Sequence, residues 1–145
     1  MNQLTDEMIE RLRIRRSMLP SKKKVIYLID DEIELGTIIK LHLERQGEYD
    51  VEVFVDMNEP IEKIRRDEIP DLVITDLVLN KSKGTSLSSF IKNNPHTRHI
   101  PVLMMSGYFQ GRNVGDAISA GCDDLIRKPF TNVELEQKIH SLLID

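Results

Sequence analysis

The chain is poor in cysteine, tryptophan and long apolar runs. Its one cysteine, Cys122, excludes an internal disulfide. Four scattered histidines, none paired at ligand spacing, exclude a structural zinc site as well. No apolar run approaches the roughly 18 residues that a membrane span needs. Met1 to Arg16 lacks the apolar segment of a signal peptide. A reducing, cytoplasmic setting is therefore the expectation. Seven glycines and six prolines give no low-complexity or disordered signature. What remains is 145 residues of ordinary globular composition, long enough to bury one core.

The net charge of −4 conceals an asymmetry. Residues 1–24 hold seven Lys/Arg against three Asp/Glu, a balance of +4. The rest holds thirteen against twenty-one, a balance of −8. An acidic body does not suit a nucleic-acid binder. Within the basic head, Thr5 is placed to cap a helix reaching about Leu19, where Pro20 stops it. Leu4, Met8 and Leu12 share a face of that helix. The expected division is a helical extension over residues 1–23 and one domain over 24–145. The extension is expected to dock on its own domain or to fray, with a partner or dimer contact as the alternative. Its apolar face is too thin for a membrane-surface helix.

From Val25 the chain alternates. Short apolar runs read as strands at Val25–Ile29, Val51–Val55, Leu72–Thr75, Val102–Met105 and Leu125–Ile126. Stripes at helical period follow each: Leu35, Ile38, Ile39 and Leu43; Ile61 and Ile64; Leu87, Phe90 and Ile91; Val114, Ala117 and Ile118; Leu135, Ile139, Leu142 and Leu143. Gly47 and Gly121 are placed to end helices, and Thr131 with Glu134 to cap the last one. Five βα units predict an α/β fold, a parallel sheet with helices on both faces.

The strand ends carry the chemistry. The first strand runs into Asp30, Asp31 and Glu32, the third ends in Asp76, the fourth in Ser106-Gly107 and the fifth in Lys128-Pro129. In a parallel sheet these ends share one edge, where ligands of such sheets bind. Three carboxylates, a hydroxyl and an ammonium would meet there. A hard cation such as Mg²⁺ takes one or two carboxylates, several waters and a phosphate oxygen. Asp31 and Asp76 would ligate it directly, and Asp30 would hold a bound water. Asp76, central on the edge, suits a nucleophile that forms an acyl phosphate. Lys128 and Ser106 would then face the phosphoryl oxygens. Glu32 would open the following helix.

Val25 to Leu143 resembles the receiver domain of bacterial two-component response regulators. The resemblance rests on IDDE at the first strand end, DLVLNKSKG from Asp76 to Gly84, MMSG at Met104 to Gly107 and AGCDDLIRKPF at Ala120 to Phe130. It implies a doubly wound, flavodoxin-like sheet of order 2-1-3-4-5. It implies Asp76 as phosphoacceptor from a sensor histidine kinase, and Asp30 and Asp31 as the acid pair for Mg²⁺. The backbone carbonyl of Val78 would be a further ligand, Ser106 the switch hydroxyl and Lys128 the invariant lysine, with a cis bond before Pro129. Two positions depart from the pattern. Asn80 stands where a proline is usual, and Leu125 where an aromatic residue is usual, so Tyr108 or Phe109 is a candidate for part of that aromatic role. Val78 and Tyr108 are expected to flank the site, and neither aligns an attacking water, so slow autodephosphorylation is expected.

The chain reaches Asp145 just after the last helical stripe, so a stand-alone receiver is expected, acting by phosphorylation-dependent protein contact or dimerisation. A relay intermediate serving a histidine phosphotransfer protein is the alternative. A haloacid-dehalogenase-type phosphatase wants D-x-D rather than adjacent acids. An FMN binder would not place three acids where phosphate sits. A receiver-like scaffold that is never phosphorylated would not need Asp30, Asp31, Asp76, Ser106 and Lys128 together.

Overall fold

The structure, a computed structural model, describes residues 5–18, 22–79, 83–107 and 112–144. An N-terminal helix, α1 (Asp6–Met18), precedes five βα units. These are β1 (Lys24–Ile29) and α2 (Ile33–Glu44), β2 (Tyr49–Phe54) and α3 (Asn58–Arg65), and β3 (Leu72–Asp76) and α4 (Gly84–Lys92). They continue with β4 (Val102–Ser106) and α5 (Arg112–Ser119), then β5 (Asp124–Arg127) and α6 (Asn132–Leu142). All strand pairs are parallel, in the order β2-β1-β3-β4-β5. No helix among the described residues is long and apolar enough to cross a membrane.

The apolar runs are buried on both faces because alternate residues feed two cores. Tyr27, Ile29, Val73, Val102 and Met104 pack with Ile64 of α3, Leu87 and Ile91 of α4 and Ala117 of α5. Ile26, Leu28, Leu72, Ile74, Leu103 and Met105 pack with Ile39 and Leu43 of α2 and Leu135 and Ile139 of α6. Three helices therefore cover one face and two the other. Strand order reverses between β1 and β3, and this switch point sets the place of the site.

The local signals act as their chemistry dictates. Thr5 Oγ1 accepts from Met8 N at 3.1 Å, and Thr131 Oγ1 from Glu134 N at 3.1 Å. Gly47 and Gly121 follow α2 and α5 with φ of 79° and 83°, the left-handed caps glycine supplies. Two expectations shift. β2 starts earlier, at Tyr49, and stops at Phe54, because its ladder follows the full length of β1 from Lys24 to Ile29. Of the two outcomes expected for the extension, docking or fraying, docking is not seen among its described side chains: each from Thr5 to Ile14 is exposed, Met8 and Leu12 included. Leu4 and Pro20 lie outside the described residues.

Candidate functional site

β1 delivers Asp30 to the carboxyl edge, where it is fully buried. A buried carboxylate requires partners, and Asp30 has several. Its Oδ1 accepts from Glu32 N at 2.9 Å, its Oδ2 from Lys128 Nζ at 3.2 Å, and its own N–H donates to Phe54 O at 2.9 Å. Asp31 is half-buried beside it, and Glu32 is the residue from which α2 starts. Both Asp30 oxygens are thus engaged by the chain.

β3 ends on Asp76, only 6% exposed, and Lys128 Nζ stands 2.6 Å from its Oδ1. The lysine thus bridges the carboxylates that leave β1 and β3. It is held there from β5: its N–H donates to Ser106 O at 2.9 Å, and the Lys128–Pro129 bond is cis. Ser106 ends β4 and is buried. One oxygen from each of Asp30, Asp31 and Asp76 lies within 4.8 Å of the others. Carboxylates alone, in reach of one another, are the donor set of a hard divalent cation.

The electrostatics follow from this crowding. Burial first, then the hydrogen bond and charge of Asp30, push the Asp76 carboxyl from its usual 3.8 up to about 7, against the pull of Lys128. Burial alone would lower the Lys128 ammonium, but Asp76 and Asp30 together hold it above its usual value. The site therefore favours added positive charge at neutral pH.

Val78 is 62% exposed and bridges Lys83 across the loop after Asp76. Leu125 is half-buried and packs against the core of the α3–α4–α5 face, where an aromatic residue was the family expectation. Asn80, Tyr108 and Phe109 lie outside the described residues. One participant had no assigned part in the sequence reading. Gly84 starts α4 directly against the Asp76 backbone: its N–H donates to Leu77 O at 3.0 Å, and a Cβ there would run into the Asp76 carbonyl oxygen. The glycine closing DLVLNKSKG was the available signal, but its reason is a tertiary approach.

A family model for the response regulator receiver domain matches residues 26–140. The DNA-binding dual master transcriptional regulator RpaA of Synechocystis is 30% identical over 118 residues, covering 81% of this chain and 48% of that protein. The chain spans about half the length of such curated relatives. Among solved structures, a CheY-like response regulator receiver domain protein from Methanospirillum hungatei superposes with a TM-score of 0.77 at 29% identity, covering 84% and 94% of the two chains. The receiver domain of sensor histidine kinase PA1611 from Pseudomonas aeruginosa, solved with a magnesium ion coordinated in its active site cleft, shares the fold. Its TM-score is 0.71 at 23% identity, with 84% and 98% covered. With its acids, hydroxyl and lysine on the edge the sequence motifs implied, and a family model running through both cores, this chain belongs to the response regulator receiver domains of two-component signalling.

Proposed function

We propose that Asp76 accepts a phosphoryl group from a sensor histidine kinase or a histidine phosphotransfer protein, and that the modified chain signals through protein contacts in the cytoplasm. The receiver in this reading is residues 24–145, with 1–23 as an extension. The observation that carries it is the Lys128 ammonium 2.6 Å from a nearly buried Asp76 carboxylate, at an edge shared with Asp30 and Asp31. Phosphorylation and Mg²⁺ binding are general to the family.

In the transfer, an Asp76 carboxylate oxygen forms a bond to phosphorus. The bond to the donor's nitrogen or acyl oxygen breaks, and the donor keeps that electron pair. Asp76 must be ionised to attack. Lys128 orients the carboxylate and meets the charge of the incoming oxygens. The Ser106 hydroxyl, at the end of the neighbouring strand, donates to a phosphoryl oxygen and draws the α5–β5–α6 face toward a second packing. Asp31, Asp76 and the Val78 carbonyl, with Asp30 through water, would hold Mg²⁺, which when bound neutralises charge on the transferred group.

Incubation with Mg²⁺ and acetyl phosphate or phosphoramidate is expected to add the mass of one phosphoryl group, and Asp76→Ala is expected to add none. Repeated turnover of phosphate esters with no mass gain would instead indicate a phosphatase and overturn the reading.

Two further outcomes follow. Mg²⁺ competes with protons for Asp76, which is held near 7. Its apparent affinity should therefore fall about tenfold for each pH unit below about 7. Calorimetric titration in buffers of different ionisation enthalpy reads the released proton, and a pH-independent affinity counts against Asp76 as a ligand. Val78 supplies no group to align water, so Val78→Asn with Tyr108→Glu should shorten the phosphoryl half-life severalfold. An unchanged half-life removes these positions from control of the lifetime.

A further inference from the structure

β3 reads Leu-Val-Ile-Thr-Asp, and Thr75 is its one hydroxyl. That side chain is fully buried. Side chains alternate along a strand, so Thr75 shares with Val73 and Leu77 the face that packs under α3, α4 and α5. A valine would fill the place with the same shape and no polar atom. A buried hydroxyl weakens a core unless it is bonded. Here it is bonded: Thr75 Oγ1 donates to the Asp76 carbonyl oxygen at 3.1 Å.

The pairing of β3 with β1 ends at Thr75, opposite Ile29. Beyond it the backbone is held group by group. The hydroxyl takes the Asp76 carbonyl, Met105 O accepts from Leu77 N at 2.9 Å, and Leu77 O accepts from Gly84 N at 3.0 Å. The first two bonds grip the two sides of one rigid peptide plane, Asp76–Leu77. The direction of that plane sets ψ of Asp76. With it goes the aim of the carboxylate, whose Oδ1 lies 2.6 Å from Lys128 Nζ. The same plane sets how the chain leaves β3 toward Val78.

We propose that Thr75 is a positioning residue for phosphoryl acceptance, its hydroxyl holding the Asp76–Leu77 plane so that the carboxylate faces Lys128 and the acid cluster. The inference rests on Asp76 being the phosphoacceptor. Thr75 touches no reacting atom. It acts through the backbone of the residue that does.

Thr75→Val, Thr75→Ala and Thr75→Ser separate this from a part in packing alone. Phosphoryl uptake from phosphoramidate is followed by intact mass over a range of donor concentrations. Mg²⁺ affinity is read by calorimetry without donor, and stability by urea unfolding. The two variants without a hydroxyl should lose about tenfold in rate at saturating donor, with the half-saturating concentration unchanged. Their Mg²⁺ affinity should fall about tenfold. Thr75→Ser leaves a methyl-sized gap and should unfold at lower urea than Thr75→Val, yet keep rate and affinity within about twofold of wild type. Packing alone would rank activity with stability, valine above serine. A folded valine or alanine variant with wild-type rate and Mg²⁺ affinity overturns the proposal, as does a serine variant as slow as valine. A wild type that takes up no phosphoryl group overturns the reading of Asp76, and this inference with it.

Discussion

Gly84→Ala is expected to cost roughly 3 kcal/mol of stability, near the top of the range for overpacking, and to slow phosphoryl acceptance with it. The added methyl would press on the Asp76 carbonyl oxygen and stand 3.1 Å from Thr75 Oγ1. Neither gives way easily. The first is backbone at the end of the central strand, and the second is a fully buried hydroxyl that bonds the same carbonyl at 3.1 Å. The start of α4 must back off, which stretches the Gly84 N–H to Leu77 O bond and re-aims the Asp76 carboxylate. Urea unfolding should show a lower midpoint. Gly115→Ala provides the contrast of sign. That glycine lies in α5, exposed, with nothing within 4 Å of an added Cβ. Alanine there should stabilise by about 0.5–1 kcal/mol through helix propensity alone. Equal effects at the two positions would mean that α4 does not press on the site.

The second large effect concerns charge. In the folded protein Asp76 is held near 7 against an ordinary 3.8. A carboxyl raised by folding favours the folded state below about 4, and that advantage is lost as pH rises through about 7. Asp76→Asn removes the ionisation that does this, while Lys128 keeps Asp30 as a partner. Without Mg²⁺, the variant should be more stable than wild type by on the order of 2 kcal/mol above about pH 8. The difference should shrink toward zero near pH 4. Mg²⁺ should raise the wild-type melting temperature more than the variant's. A variant that is less stable at high pH in the absence of Mg²⁺ would show that the carboxylates are not crowded as described.

How much of this was legible before folding differs from residue to residue. The run Val25–Ile29 was readable because a strand covered on both faces needs no polar alternation, and Ile26 to Ile29 are indeed buried. The convergence of Asp30, Asp76, Ser106 and Lys128 followed from parallel topology, which places every carboxyl end on one edge. Which carboxylate Lys128 would meet was not readable, because its bridge to both Asp30 and Asp76 depends on side-chain reach across the β1–β3 switch point. Gly47 and Gly121 announced their caps. Asp67, which ends α3 with φ 67°, did not, since an aspartate is rarely left-handed. Gly84 entered only as the last residue of a motif, and its reason, the close approach of α4 to the end of β3, is tertiary. The exposure of α1 depends on tertiary placement, and no helical periodicity within residues 6–18 encodes that.

The central claim is that the phosphoryl group rests on Asp76. An acyl phosphate on an aspartate is reduced by borohydride to homoserine, which marks the position permanently. The protein is treated with Mg²⁺ and phosphoramidate, reduced, digested and sequenced by mass spectrometry. Homoserine at Asp76 alone, and none when Mg²⁺ is chelated, is the predicted result. Homoserine at Asp30 or Asp31, or a phosphorylated protein whose Asp76 survives reduction intact, would contradict it.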